Sequence, residues 1–300
     1  MFAFTVLRAV AMALLAVSPA FAQETDEDTP AFPTTVFEEG ALSAEISAGD
    51  ITARITIEKM PGEDLTLDFP VLHVLINGAE VLRTIGAESD LEFPDAEASI
   101  AEMDPANDVP EIYFTSYSGG AHCCSRVVVA TKAGAEWMAV EVGEFDGSGD
   151  YLEDADGDGR AEIVLADNRF LYRFDCYVCS AAPLMVLGID KGAVVDLSAD
   201  PRFRETHERW LEELEERTPP DERWESPGFL AGWVATRARL GEGTAAWQEL
   251  LDNWDLAKDP GALACLTGAE LEKCPRKSRK VLKFPERLKI FLDANGYAAF

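Results

Sequence analysis

The segment Asp154-Ala-Asp156-Gly-Asp158-Gly159-Arg160-Ala-Glu162 sets carboxylates at positions 1, 3, 5 and 9 of a loop, with glycine at position 6. Calcium takes roughly six to eight hard oxygens in flexible geometry, and this spacing converges alternate side chains on one ion. The carbonyl of Arg160 at position 7 adds an oxygen, and Gly159 permits the sharp turn. An EF-hand needs a bidentate glutamate at position 12, where this chain has Leu165. Ile163-Val164-Leu165 reads instead as a strand opened by the loop. The alternative is a solvated Asp/Gly turn without an ion, in which four like charges would repel one another.

Six cysteines fall in close pairs: Cys123-Cys124, Cys176-x-x-Cys179, and Cys265 with Cys274. With Gly119-Gly120-Ala-His122 just before the first pair, three chemistries compete: a disulfide staple, a thiol redox pair, and a soft-metal site of thiolates with His122. The redox reading lacks a βαβ setting around Cys176-x-x-Cys179, and zinc thiolates in an oxidising compartment compete with disulfide formation. Adjacent cysteines bond to each other only with unusual peptide geometry, so Cys123 and Cys124 are expected to reach Cys176 and Cys179. Cys265 and Cys274 would close a local loop. His73 in a strand and His207 on a buried helical face read as structural histidines. No Gly-x-Ser-x-Gly elbow, phosphate loop, dinucleotide glycine fingerprint or His-Glu-x-x-His occurs, and nothing in the spacing selects a catalytic carboxylate pair.

The elements that must position these residues begin after a leader. Arg8, the apolar run Ala9 to Val17, and Ala20 and Ala22 around Phe21 read as a secretory signal peptide, residues 1–22, cleaved after Ala22. A transmembrane helix needs about 20 apolar residues, whereas Gln23-Glu24-Thr25-Asp26 follows at once. The expected location is therefore the periplasm or the medium, with no membrane span. With 26 basic against 55 acidic residues, nucleic acid and anionic membranes would be repelled. Residues 23–40 read as a disordered acidic lead-in.

From 41 to 199 short apolar alternations such as Ile51-Thr-Ala-Arg-Ile-Thr-Ile57 predict antiparallel strands. Asn77-Gly78 between two such runs predicts a hairpin, because both residues tolerate positive φ. From 200 to 300 the period becomes helical. Asp200-Pro201 opens a helix carrying Phe203, His207, Trp210, Leu211 and Leu214, and Ser226-Pro227 opens a second. Trp247, Leu250, Leu251 and Trp254 mark a third. Phe284-Pro285 opens a fourth, which ends at Asn295-Gly296. The basic run Arg276-Lys-Ser-Arg-Lys280 with Lys283, Arg287 and Lys289 reads as a solvated flank pairing with the chain's own acids, or as a dock for an anionic surface partner.

The segment DADGDGRAEIVLADNRF resembles the FG-GAP or VCBS type of calcium loop found in β-propeller blades of integrin-like and bacterial secreted proteins. The match covers about 15 residues. It implies Ca2+ bound by Asp154, Asp156, Asp158, the Arg160 carbonyl and Glu162, in a structural capacity. Met103-Asp104-Pro-Ala-Asn107-Asp108-Val-Pro-Glu111-Ile112 aligns with the segment starting at Asp154, a second copy without carboxylates at positions 1 and 3. Tyr117 to Cys124 also resembles secreted bacterial proteins carrying such loops, which implies no activity. The fold expected is α+β, a β-rich antiparallel domain with two blade-like FG-GAP-type units followed by a small helical C-terminal region. Two such units are too few to close a propeller. The expected function is a calcium-binding, disulfide-stabilised binding or structural module for an envelope or extracellular ligand. A cell-envelope hydrolase and a thiol or soft-metal redox protein are the alternatives.

Overall fold

A computed structural model describes residues 31–61, 66–89, 94–269 and 271–297; the expected leader, its cleavage site and residues 23–30 lie outside them. The strands in the first half are β1 (Thr34–Val36), β2 (Ala44–Ala48), β3 (Ile51–Pro61), β4 (Thr66–Ile76), β5 (Ala79–Ile85), β6 (Ala96–Ala101), β7 (Glu111–Tyr117), β8 (Cys123–Ala133) and β9 (Glu136–Asp146). They continue with β10 (Leu152–Glu153), β11 (Glu162–Ala166), β12 (Leu184–Asp190) and β13 (Ala193–Asp196). Helices α1 (Arg204–Arg217), α2 (Pro227–Arg239) and α3 (Gly243–Asn253) follow, then β14 (Ala262–Cys265), β15 (Arg279–Leu282) and α4 (Phe284–Ala294).

Every pairing is antiparallel, and every one except β1 with β6 joins strands consecutive in the chain. The strands β2 to β5, β6 to β9 and β10 to β13 form three successive four-stranded meanders, and β1 adds to the edge of the second beside β6. The architecture is therefore α+β and β-rich, as expected. It contains three meanders, which do not close into a propeller. Thr34–Val36, inside the stretch expected to be unstructured, is ordered by pairing with Glu97 to Ser99.

Strand alternation explains the first meander. Ile51, Ala53 and Ile55 are buried, and across the register Ile55 meets Leu72 while Ala53 meets Val74. The opposite face carries polar pairs: Arg54 with Glu45 at 2.6 Å, and His73 with Glu80 at 2.7 Å. Asn77 and Gly78 turn β4 into β5 with φ of 48° and 79°, the expected hairpin. The middle meander is covered on both faces. Ile112 and Phe114 of β7 pack toward the first meander, whereas Tyr113 packs with Ile163 and Leu165 of the third. A strand apolar on both faces cannot alternate, and β7 does not.

The helical region packs around Phe170 and Ala182 from the loop between β11 and β12. Asp200 accepts from the Arg202 N–H to start the turn before α1, and Ser226 accepts from Phe229 N–H to start α2. Helix α2 is buried from Gly228 to Thr236. A Cβ on Gly232 would stand 2.5 Å from the Ala181 carbonyl carbon, so the helix reaches the 179–181 segment only because glycine is there. The β14–β15 hairpin interrupts what the sequence presents as an all-helical region.

Candidate functional site

The acidic loop links β10 to β11. Gly157 and Gly159 adopt φ of 74° and 88°, which turns the chain back on itself. Asp154, Asp156 and Glu162 each bring an oxygen within 4.8 Å of the others. Asp158 is not in this trio. Its carboxylate accepts from the Arg160 N–H at 2.8 Å and pairs with the Arg160 guanidinium at 3.2 Å.

The trio is short of donors. Asp154 Oδ2 accepts from the Gly159 N–H at 3.0 Å, but its buried Oδ1 has no hydrogen-bond partner among the described residues. Glu162 is buried and accepts from the Ala155 N–H at 3.0 Å. Burial pushes the Glu162 carboxyl up to about 7 against that hydrogen bond, and the charges of Asp156, Asp158 and Asp154 push the same way. Converging hard oxygens, one of them buried and orphaned, fit a calcium-type ion.

Sequence reasoning missed one partner. Arg202, in the turn before α1, places its guanidinium 2.7 Å from Asp156 Oδ2 and 3.9 Å from Asp158. Thr206 of α1 donates to the Ala155 carbonyl at 3.1 Å. The loop is thereby bonded to the helical region, 46 residues away for the Arg202 pair.

The aligned copy before β7 has the same skeleton and different chemistry. The Asp104 N–H donates to Glu111 as the Ala155 N–H donates to Glu162. Glu111 also accepts from the Met103 N–H, Asn107 and Thr131. Its protein donors satisfy this carboxylate with no ion. Asp104, buried, accepts from the Lys191 and Gly192 N–H groups at 3.0 and 2.8 Å, fastening the turn between β12 and β13. A recess of about 420 Å³ lies between the copies, bordered by Met103 and Pro105 of one and Asp158, Arg160 and Glu162 of the other.

All six cysteines are in disulfides; Cys265 closes the expected loop with Cys274, but Cys123 and Cys124 do not reach Cys176 and Cys179 as expected. Cys123 pairs with Cys124 across a cis peptide, Cys176 with Cys179, and Cys265 with Cys274. A single 3₁₀ turn sets the Cys176 and Cys179 Cα atoms 5.0 Å apart, so each already has its partner and neither reaches β8. In this form no thiolate is free for a soft metal or for redox attack. Asp175 with Cys176 and Cys179 would offer a ligand group only after reduction.

The two cysteine segments nevertheless meet, through His122. Its Nδ1 lies 2.7 Å from Asp146 Oδ1, and its ring stacks on Tyr177 with centroids 3.8 Å apart. Tyr177 donates to the other Asp146 oxygen, and Tyr172, 3.2 Å from His122 Nε2, is exposed. The Asp146 hydrogen bond, with burial, pushes the Tyr177 hydroxyl up to about 12. The arrangement fixes the orientation of the imidazole, a geometry that a general base would need. His207 is buried with Nε2 2.9 Å from the Ser198 carbonyl, and His73 lies between Thr56 and Glu80 on the polar face of the first meander.

Three cations of the basic run have partners within the chain. Arg279 donates to the Cys274 carbonyl, Lys283 to the Asp259 carbonyl, and Lys289 pairs with Asp293 at 3.5 Å. No helix among the described residues is long and apolar enough to cross a membrane.

Known proteins place the chain. Residues 203–296 match a family model described as the sll0997 C-terminal domain. A protein of Synechocystis sp. named "Probable thylakoid lumen protein sll0997" is 34% identical over 264 residues, covering 87% of this chain and 77% of that protein. "Uncharacterized protein y4bJ" of Sinorhizobium fredii is 36% identical over 219 residues, which is 73% of this chain and only 34% of that longer protein. No solved structure matches. The coverage and identity shared with the Synechocystis protein make this chain a member of the sll0997 family.

Proposed function

We propose that the chain is an exported, disulfide-stabilised binding or structural module in which a structural Ca2+ at the Asp154–Glu162 loop fastens the helical region to the β sheets. The observation that carries this reading is the buried, unpartnered Oδ1 of Asp154 beside Asp156 and Glu162. A buried carboxylate oxygen without a donor costs stability unless a cation compensates it. Asp154, Asp156 and Glu162 would hold the ion, with the Arg160 carbonyl as a backbone ligand and Asp158 joining after release from Arg160. When bound, the ion supplies positive charge that removes the mutual repulsion of these carboxylates.

Export is supported by the leader-like N-terminal sequence and by a relative whose name places it in the thylakoid lumen. The blade-like FG-GAP reading is supported by the paired loops, each joining the first strand of a meander to the second. An envelope or extracellular ligand is the partner class that fits such a module. Calorimetric titration with Ca2+ should show one site, lost in Asp154→Ala. Absence of binding to the folded native chain would remove the ion from the account.

The His122–Asp146 pair favours a second reading, an envelope hydrolase with the imidazole as general base. Hydrolysis of an envelope polymer lost in His122→Ala, with calcium binding intact, would favour it.

A further inference from the structure

Residues of the family-matched region, together with Phe174, enclose a cavity of about 460 Å³ that uses no residue of the acidic loop. Its walls include Phe174, Trp224, Trp254 and Phe284, drawn from the loop after β11, the turn before α2, the end of α3 and the start of α4. The Trp254 and Phe284 rings lie 4.7 Å apart, and Phe174 meets Phe284 edge-on at 5.6 Å. Small-molecule sites fall in roughly this size range and are lined mainly by apolar and aromatic side chains with a few polar groups.

The polar groups of the wall fall into two classes. The acids are already engaged. Glu225 and Asp255 share Lys258 at 3.7 and 3.8 Å. Asp259 accepts from the Phe284 N–H at 2.6 Å, the Gly261 N–H at 2.7 Å and Trp254 Nε1 at 3.1 Å. Arg287 is different. Its guanidinium lies over the Phe174 ring at 5.7 Å, and among the described residues it makes no hydrogen bond or ion pair. Its Nε is buried without a partner. Burial lowers the Arg287 pKa, Asp259 opposes that shift, and Arg173 adds to it. A half-buried planar cation with idle donors at an aromatic-walled cavity lacks an acceptor. A carboxylate matches its fork, and a flat ring system matches the walls.

We infer that this cavity binds a small aromatic carboxylate, its ring system held among Trp224, Trp254 and Phe284 and its carboxylate on Arg287. The site uses none of the proposed calcium ligands, so the two readings stand or fall separately.

The test is calorimetry and tryptophan fluorescence on the full disulfide-bonded chain, with naphthoate as probe and the neutral naphthamide as isostere. Naphthoate should bind with one-to-one stoichiometry and perturb the emission of Trp224 and Trp254. Naphthamide and the Arg287→Gln variant should each weaken binding by about tenfold or more, with Arg287→Lys intermediate. Circular-dichroism melting reports whether Arg287→Gln folds. Should it not, Arg287→Lys and the naphthamide comparison on the native chain decide. No saturable binding of naphthoate, or equal affinity for the acid and the amide, overturns the proposal.

Discussion

Arg202 Nη1 stands 2.7 Å from Asp156 Oδ2, joining the turn that begins α1 to the acidic loop that begins β11. The guanidinium is half exposed while the Asp156 side chain is almost fully buried, so the pair neutralises one carboxylate of the trio and leaves Asp154 and Glu162 uncompensated. An entering divalent cation meets Arg202 as a like charge. Arg202→Gln should therefore tighten calcium binding roughly threefold to tenfold, about 1 kcal/mol, by titration calorimetry. Weaker binding in that variant would mean that Arg202 helps to build the site rather than competing for it.

Asp104 shows what became of the other copy. Its carboxylate accepts from the Ala106, Lys191 and Gly192 N–H groups. Asp104→Ala leaves these donors without their acceptor, at a cost of about 1–3 kcal/mol. A lowered urea midpoint with calcium binding unchanged is the expected result. An unchanged midpoint would show that the turn holds itself.

Gly232→Ala sets two magnitudes against each other. Alanine in a helix gains about 1 kcal/mol of propensity over glycine. The new Cβ would meet the Ala181 carbonyl carbon at 2.5 Å, and overpacking against backbone costs about 1–3 kcal/mol or more. Clash prevails because backbone cannot swing aside as a flexible side chain would. The variant should unfold at lower urea than the native chain, and a stabilised variant would contradict the close approach of α2 to Ala181.

The burial of His207 gives the fold a pH dependence whose sign can be worked out. Burial holds its pKa below the ordinary value, reinforced by Arg239, while the Ser198 carbonyl and Asp196 act the other way. The folded state thus binds fewer protons than the unfolded one just below about pH 6.5, and stability falls as the pH drops through that value. His207→Gln should flatten this part of the urea-midpoint profile between neutral and mildly acidic pH. Identical profiles for the two proteins would remove His207 as the cause.

Features written in adjacent residues were legible before the fold was known. Asn77-Gly78, Asp200-Pro201 and Ser226-Pro227 act through local φ preferences and caps, and each starts or turns an element where expected. The acidic loop was legible as a spacing, since its carboxylates lie within nine residues. Features that depend on distant partners were not. Arg202 on Asp156, Asp104 under the 191–192 turn and the aromatic cavity around Arg287 join segments tens to about a hundred residues apart. The β14–β15 hairpin has only four residues per strand, too few to show a period. The disulfide expectation failed because a 3₁₀ turn pairs Cys176 with Cys179 locally.

The central claim is that an ion at Asp154, Asp156 and Glu162 stabilises the folded chain, and thermal melting in calcium against chelator tests it most directly. A ligand that binds only the native state raises its stability by mass action. The account predicts a higher Tm with calcium for the native chain, and no calcium-dependent shift for Asp156→Ala. Equal melting of the native chain in calcium and in chelator would contradict it.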